Sequence, residues 1–199
     1  MTIKVGITGG IGSGKSTICE VFRLLGVPIF EADKVAKNLM NSNDEVIESL
    51  IRLFGKDIYT SNKELNRKKL AEIIFNNVIQ LKKVNQIIHP AVRATFHKWA
   101  EIQDSPYIIH EAAILFESEF YKMMDFTILV TAPEEIRIER VMKRDGTDTK
   151  KIRERMEKQW PDSEKRKLAS IELVNDDKNL IIPQIIKIDE NLRLYGKIW

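Results

Sequence analysis

The sequence predicts a three-layer α/β fold on a five-stranded parallel sheet, and three observations predict it. Short apolar segments recur at residues 3–7 (IKVGI), 27–30 (VPIF), 107–110 (YIIH), 126–130 (FTILV) and 171–174 (IELV). Stretches of helical period separate them, the pattern of parallel strands covered on both faces and joined by right-handed crossovers. A glycine-rich turn, GITGGIGSGKST at residues 6–17, lies between the first strand and the first helix.

The first strand runs to Thr8, and the first helix starts at Lys15. Ile18, Val21, Phe22 and Leu25 follow at helical spacing, and Gly26 caps the end before Pro28. Cys19, the one cysteine, falls on this apolar pattern and reads as packing. Residues 34–105 contain no convincing strand. EVIESLIRLFG (45–55) and the run from Arg67 to Ile102 read as helices, with Pro90 placed to start a new one. The chain thus divides into a core, 1–33 and 106–199, and a helical insertion, 34–105. Beyond the fourth strand, residues 134–160 read as two basic helices joined by the short turn DGTD.

Composition bounds the partners. With 199 residues, 43% hydrophobic and 31% charged, the chain can bury a core and is neither disordered nor fibrous. A net charge of +3 is mild: a chain built to grip nucleic acid usually carries a larger or more clustered excess, and a small anionic ligand fits this charge equally well. No apolar run reaches about 18 residues and no charged, apolar leader precedes the first strand, so neither a membrane span nor a signal peptide is expected. A lone cysteine without zinc-like spacing fits the reducing cytoplasm.

The turn carries the chemistry. Gly9, Gly14, Lys15 and Ser16 satisfy G-x-x-x-x-G-K-[ST], with a strand before and a helix after, as a phosphate loop requires. Such a loop needs inward-pointing N–H groups and positive φ, and the helix start adds positive potential. Lys15 then reaches the β and γ phosphates of a nucleoside triphosphate, and the Ser16 hydroxyl can ligate Mg²⁺. The fold is therefore expected to be that of a P-loop NTPase. NKEL at 62–65 lacks the aspartate of a guanine-binding motif, and Glu111, closing the third strand, stands where motor ATPases place an acid.

Several side chains surround this expectation. Asp33 stands past the second strand, and ligands of open parallel sheets bind beyond the carboxyl ends of the strands. It reads equally as a base for an attacking hydroxyl or as a helix N-cap. Arg137, Arg140 and Arg144 share one helix face, and Lys150, Lys151, Arg153 and Arg155 follow on the next helix. This basic pair resembles a lid closing over phosphates. His89, His97 and His110 form no triad or metal pattern, and Trp99, Trp160 and Trp199 read as packing.

From GITGGIGSGKST, LGVPIFEADKVA, LNRKKLAEIIF, IIHPAV, LFES, DFTILVTAPEEIRIERVMKRD and RERMEKQ, the chain resembles the dephospho-coenzyme A kinase family almost end to end. The resemblance implies transfer of the ATP γ-phosphoryl group to the ribose 3′-hydroxyl of dephospho-CoA, with Mg²⁺. It implies a CoA-binding role for 34–105 and a lid at about 134–160. Gly12, Ser13, Gly14, Lys15, Ser16 and Thr17 are expected to hold ATP, Asn175 to lie near the adenine, and Arg140 to bridge phosphates. Asp33 is expected at the 3′-hydroxyl, Arg67 and His89 on the acceptor side, and Glu111 and Ser16 at the metal. Three departures stand out: Glu111-Ala112-Ala113-Ile114-Leu115 for Asp-Ile-Pro-Leu-Leu, Asn66-Arg67 for Asp-Arg, and Ala169-Ser170 for Ala-Asp.

Overall fold

The computed structural model describes residues 2–75 and 77–199. Met1 and Asn76, the latter inside the stretch read as helical, lie outside them. In chain order the elements are β1 (Ile3–Thr8), α1 (Lys15–Leu24), β2 (Ile29–Glu31), α2 (Ala32–Ser42), α3 (Asp44–Phe54), α4 (Arg67–Ile74), α5 (Val78–Glu101), β3 (Tyr107–Glu111), β4 (Phe126–Thr131), α6 (Glu134–Asp145), α7 (Thr149–Met156), α8 (Asp162–Arg166), β5 (Ile171–Val174) and α9 (Ile181–Tyr195). They form two compact units, Met1–Glu31 with Ile102–Trp199, and Ala32–Glu101.

In the first unit the five strands pair in parallel in the order β2-β3-β1-β4-β5. Each coincides with a predicted apolar segment. The central strands are buried over most of their length, Val5 to Thr8, Tyr107 to His110 and Thr127 to Thr131, which is why they read as mostly apolar runs. On one face Val5, Ile7, Ile109, Ile128 and Val130 pack with Ile18, Cys19 and Phe22 of α1 and with Ile185, Ile188 and Leu192 of α9. Cys19 is buried there, and burial, with the charge of Glu111 next, pushes its thiol up to about 12. A polar latch fixes α9: the Tyr107 hydroxyl donates to Asp189 Oδ1 at 2.6 Å, while Arg193 Nε donates to the same carboxylate. His110 stacks between Phe30 and Phe120, at ring separations of 5.4 and 5.0 Å.

In the helical unit, α2 begins directly after β2, so Asp33 is the second residue of the helix rather than a cap outside it. Pro90 does not start a helix: α5 runs through it. Val84, Ile88, Val92, Phe96 and Ala100 form one buried stripe across the proline. Burying each large apolar side chain is worth about 1.5–3 kcal/mol, so the stripe outweighs the roughly 3 kcal/mol an interior proline costs. The break falls earlier, where the Asn77 side chain accepts the Gln80 N–H and starts α5.

The tryptophans also divide. Trp99 stacks on Phe96 at 6.1 Å, but Trp160 and Trp199 are 45% and 72% exposed, against the packing expectation. Neither lies on a helix, so no apolar stripe carries it into a core; Trp199 sets its ring edge-to-face with Phe126.

Candidate active site

β1 lies between β3 and β4, and the loop that leaves its carboxyl end turns into α1. Gly14 makes that turn with φ 92° and ψ 15°, a left-handed conformation that favours glycine. Asn175 Nδ2 occupies the space a Cβ would take there, so any larger residue would displace it. Gly14 supplies no side-chain cap, and the first N–H groups of α1 stay available to an anion.

The loop lines a pocket of about 590 Å³ together with Ala113, Arg140, Arg144, Arg155 and Gln159. Ser16 and Thr17 are exposed. The Ser13 hydroxyl is buried and is one of few buried polar groups without a partner among the described residues. Lys15 Nζ lies 3.1 Å from Glu111 Oε1, and each side chain is 12% exposed. Glu111 ends β3 in register with Ile7 of β1, which brings its carboxylate beside the loop.

A basic wall faces the loop. Arg140 donates to the carbonyls of Ser13 (3.4 Å) and Asn175 (3.1 Å) and pairs with Asp177. Arg144 and Arg155, on successive helices, share one carboxylate: Arg144 Nε donates to Asp145 Oδ1 at 2.6 Å and Arg155 to Oδ2 at 2.9 Å. These bonds, Arg144 first, hold the Asp145 carboxyl well below the usual carboxylate range. Asn175 holds the loop beside Arg140, its Nδ2 donating to Ser13 O at 2.9 Å.

Residues 3–180 match the dephospho-CoA kinase family. The chain belongs to that family. It is 38% identical over 189 residues to the dephospho-CoA kinase of one Bacteroides fragilis strain, covering 94% of this chain and 92% of that one. With the Porphyromonas gingivalis enzyme it shares 40% over 192 residues, 96% and 95% of the two chains. The structure of TT1252 from Thermus thermophilus superposes with a TM-score of 0.84 at 33% identity, covering 94% of this chain and 95% of that one. Dephospho-CoA kinase from Campylobacter jejuni gives 0.73 at 27%, covering 99% and 100%. A shikimate kinase from Bacteroides thetaiotaomicron, at 16% identity and a TM-score of 0.53, shares the fold.

Within the dephospho-CoA kinase pattern, two departures have local explanations. Asn66 caps α4 by accepting the Lys69 N–H, work that asparagine and aspartate do equally well. Ser170 exchanges two hydrogen bonds with Thr127, its hydroxyl accepting the Thr127 N–H at 2.9 Å, so a neutral oxygen suffices there. The third departure lengthens the acid closing β3, and it is this longer side chain that meets Lys15.

The structure brings the loop, Lys15, Glu111, Arg140 and Asn175 together in the first unit. Asp33, Arg67 and His89 belong to the helical unit. Asp33 and Arg67 are exposed on the first turns of α2 and α4. His89 is half-buried on α5, and burial, then the charge of Arg93 one turn on, lowers its pKa. Among the described residues no cluster of three His, Cys, Asp or Glu could cage a metal. Beside the loop, the exposed Ser16 hydroxyl and the Glu111 carboxylate are the side-chain oxygens that could hold a Mg²⁺. Sequence reasoning missed Asp145 and Gln159 and gave Arg137 only to the lid, because Arg155, Ile11 and Asp162, which give these side chains their work, lie on other elements.

Proposed function

We propose that this dephospho-CoA kinase family member transfers the γ-phosphoryl group of ATP to the ribose 3′-hydroxyl of dephospho-CoA, giving CoA and ADP. The carrying observation is the cradle itself, with Lys15, Arg140, Arg144 and Arg155 around a capless helix start. In the transfer the 3′-oxygen bonds to the γ phosphorus as the bond to the β–γ bridging oxygen breaks. The departing ADP takes that bond's electron pair.

Gly12 to Thr17 hold the triphosphate through N–H groups, and Lys15, drawn from Glu111, balances the β and γ oxygens. Arg140 offers a planar fork to the transferring group. Asp33 accepts the proton of the 3′-hydroxyl, Arg67 and His89 contact the acceptor, and Asn175 borders the adenine. Bound Mg²⁺, held by Ser16 with Glu111 nearby, would neutralise phosphate charge. Residues 134–160 act as a lid, with Asp145 aiming two of its arginines. Positioning and charge neutralisation are the main sources of rate in phosphoryl transfer, and these side chains supply both.

An acceptor panel tests this reading. ADP release is measured with dephospho-CoA, a nucleoside monophosphate and shikimate, each at equal concentration. Turnover only with dephospho-CoA is expected. Preferred turnover of a nucleoside monophosphate would reassign the helical unit to another small acceptor.

A further inference from the structure

We propose that Gln159 and Arg137 are positioning residues that grip Ile11, at the crown of the phosphate loop, by both its backbone groups, tying nucleotide binding to the end of α7. The Ile11 N–H donates to Gln159 Oε1 at 2.9 Å, and the Ile11 carbonyl accepts from Arg137 Nε at 2.9 Å. Beside it, the α6 backbone at Arg137 fills the space a Gly12 side chain would occupy. The crown therefore lies flat on α6 with its central peptides already bonded.

The grip has its own support. Arg137, 11% exposed, also pairs with Asp162 at 3.2 Å, at the start of α8. Past α7 the chain is pinned twice more: the Trp160 N–H donates to Glu117 Oε1 at 3.0 Å, and the buried Lys165 Nζ lies 3.2 Å from the same oxygen. Gln159 follows Arg155 by four residues, and both line the phosphate pocket. The bond from the Ile11 N–H thus ties the loop to the segment just past α7 that carries Gln159.

The physical consequence concerns order. A loop with so many glycines has wide conformational freedom, and ordering it on binding weakens affinity; holding it in its receptive shape beforehand removes that loss. The inference rests on the reading that this loop receives the ATP phosphates.

The test compares wild type with Gln159→Ala and Arg137→Lys, which keeps a cation for Asp162 but loses the Nε donor. The readouts are KM for ATP and for dephospho-CoA, Ki for inorganic tripolyphosphate, and Tm. Since a hydrogen bond nets up to about 1.5 kcal/mol, each variant is expected to raise the ATP KM and the tripolyphosphate Ki by up to about tenfold, with the dephospho-CoA KM within about twofold. Unchanged ATP KM and Ki in either folded variant would overturn the paired grip. So would a joint rise of both substrate KM values with a lowered Tm, which marks general packing. Should Gln159→Ala not fold, Arg137→Lys carries the same readouts. Lys15→Ala serves as control: unimpaired ATP binding in that variant would instead refute the loop's role.

Discussion

Lys15 meets Glu111 inside the unit that carries the loop, whereas Asp33 stands exposed on the first turn of α2. The proposed function gives them separate duties, charge balance for Lys15 and proton transfer for Asp33. Asp33→Asn should lower kcat by about 10² or more while leaving the ATP KM within a few fold. Retained turnover in steady-state assays would reduce Asp33 to a helix-start carboxylate. Gly14→Ala should weaken ATP binding in a titration, because the new methyl meets Asn175 at a left-handed position; unchanged affinity would mean that the loop relaxes at no cost. Lys15, Ser16 and Gly14 were legible in the sequence because their chemistry depends on spacing along one turn. Asp145 and Gln159 were not, since the value of a carboxylate or an amide comes from partners such as Arg155 and Ile11 that only folding brings near.

Helices and strands obey simpler rules, and most of them could be read directly. All five strands stand where apolar segments lie between turn signals, and for the three central ones burial demands such runs. The start of α5 was misplaced because Pro90 is a louder local signal than Asn77, yet the stripe from Val84 to Ala100 prevails. Capping gives a quantitative check at this scale. Asn66→Ala should destabilise the protein by about 1 kcal/mol in denaturant unfolding, and Asn66→Asp should be nearly neutral. Equal losses in both variants would show that the amide, and not the cap, is what matters.

For the whole molecule, pH provides a test of the buried architecture. His110 sits fully buried between two phenylalanines, and desolvation lowers its pKa to about 4, against about 6.5 in an unfolded chain. Between those values the unfolded state binds a proton that the native state does not. Stability is therefore undiminished by this group above about pH 6.5, falls as pH drops, and has lost about 3 kcal/mol once pH is below 4. Denaturant unfolding from pH 7 to 4 should show that slope, flattened in His110→Phe; parallel slopes would mean that His110 is not the group responsible. The parallel sheet was also within reach of the sequence, because apolar strand segments alternate with stretches of helical period, whereas the order β2-β3-β1-β4-β5 was not, since it depends on which strands pair after the crossovers. Mass spectrometry of the protein incubated with ATP, Mg²⁺ and dephospho-CoA, beside a Lys15→Ala control, tests the central claim most directly. One phosphoryl group added to the 3′-hydroxyl of dephospho-CoA, and lost in the control, is the expected result. Nucleotide binding without phosphorylated dephospho-CoA would contradict the account.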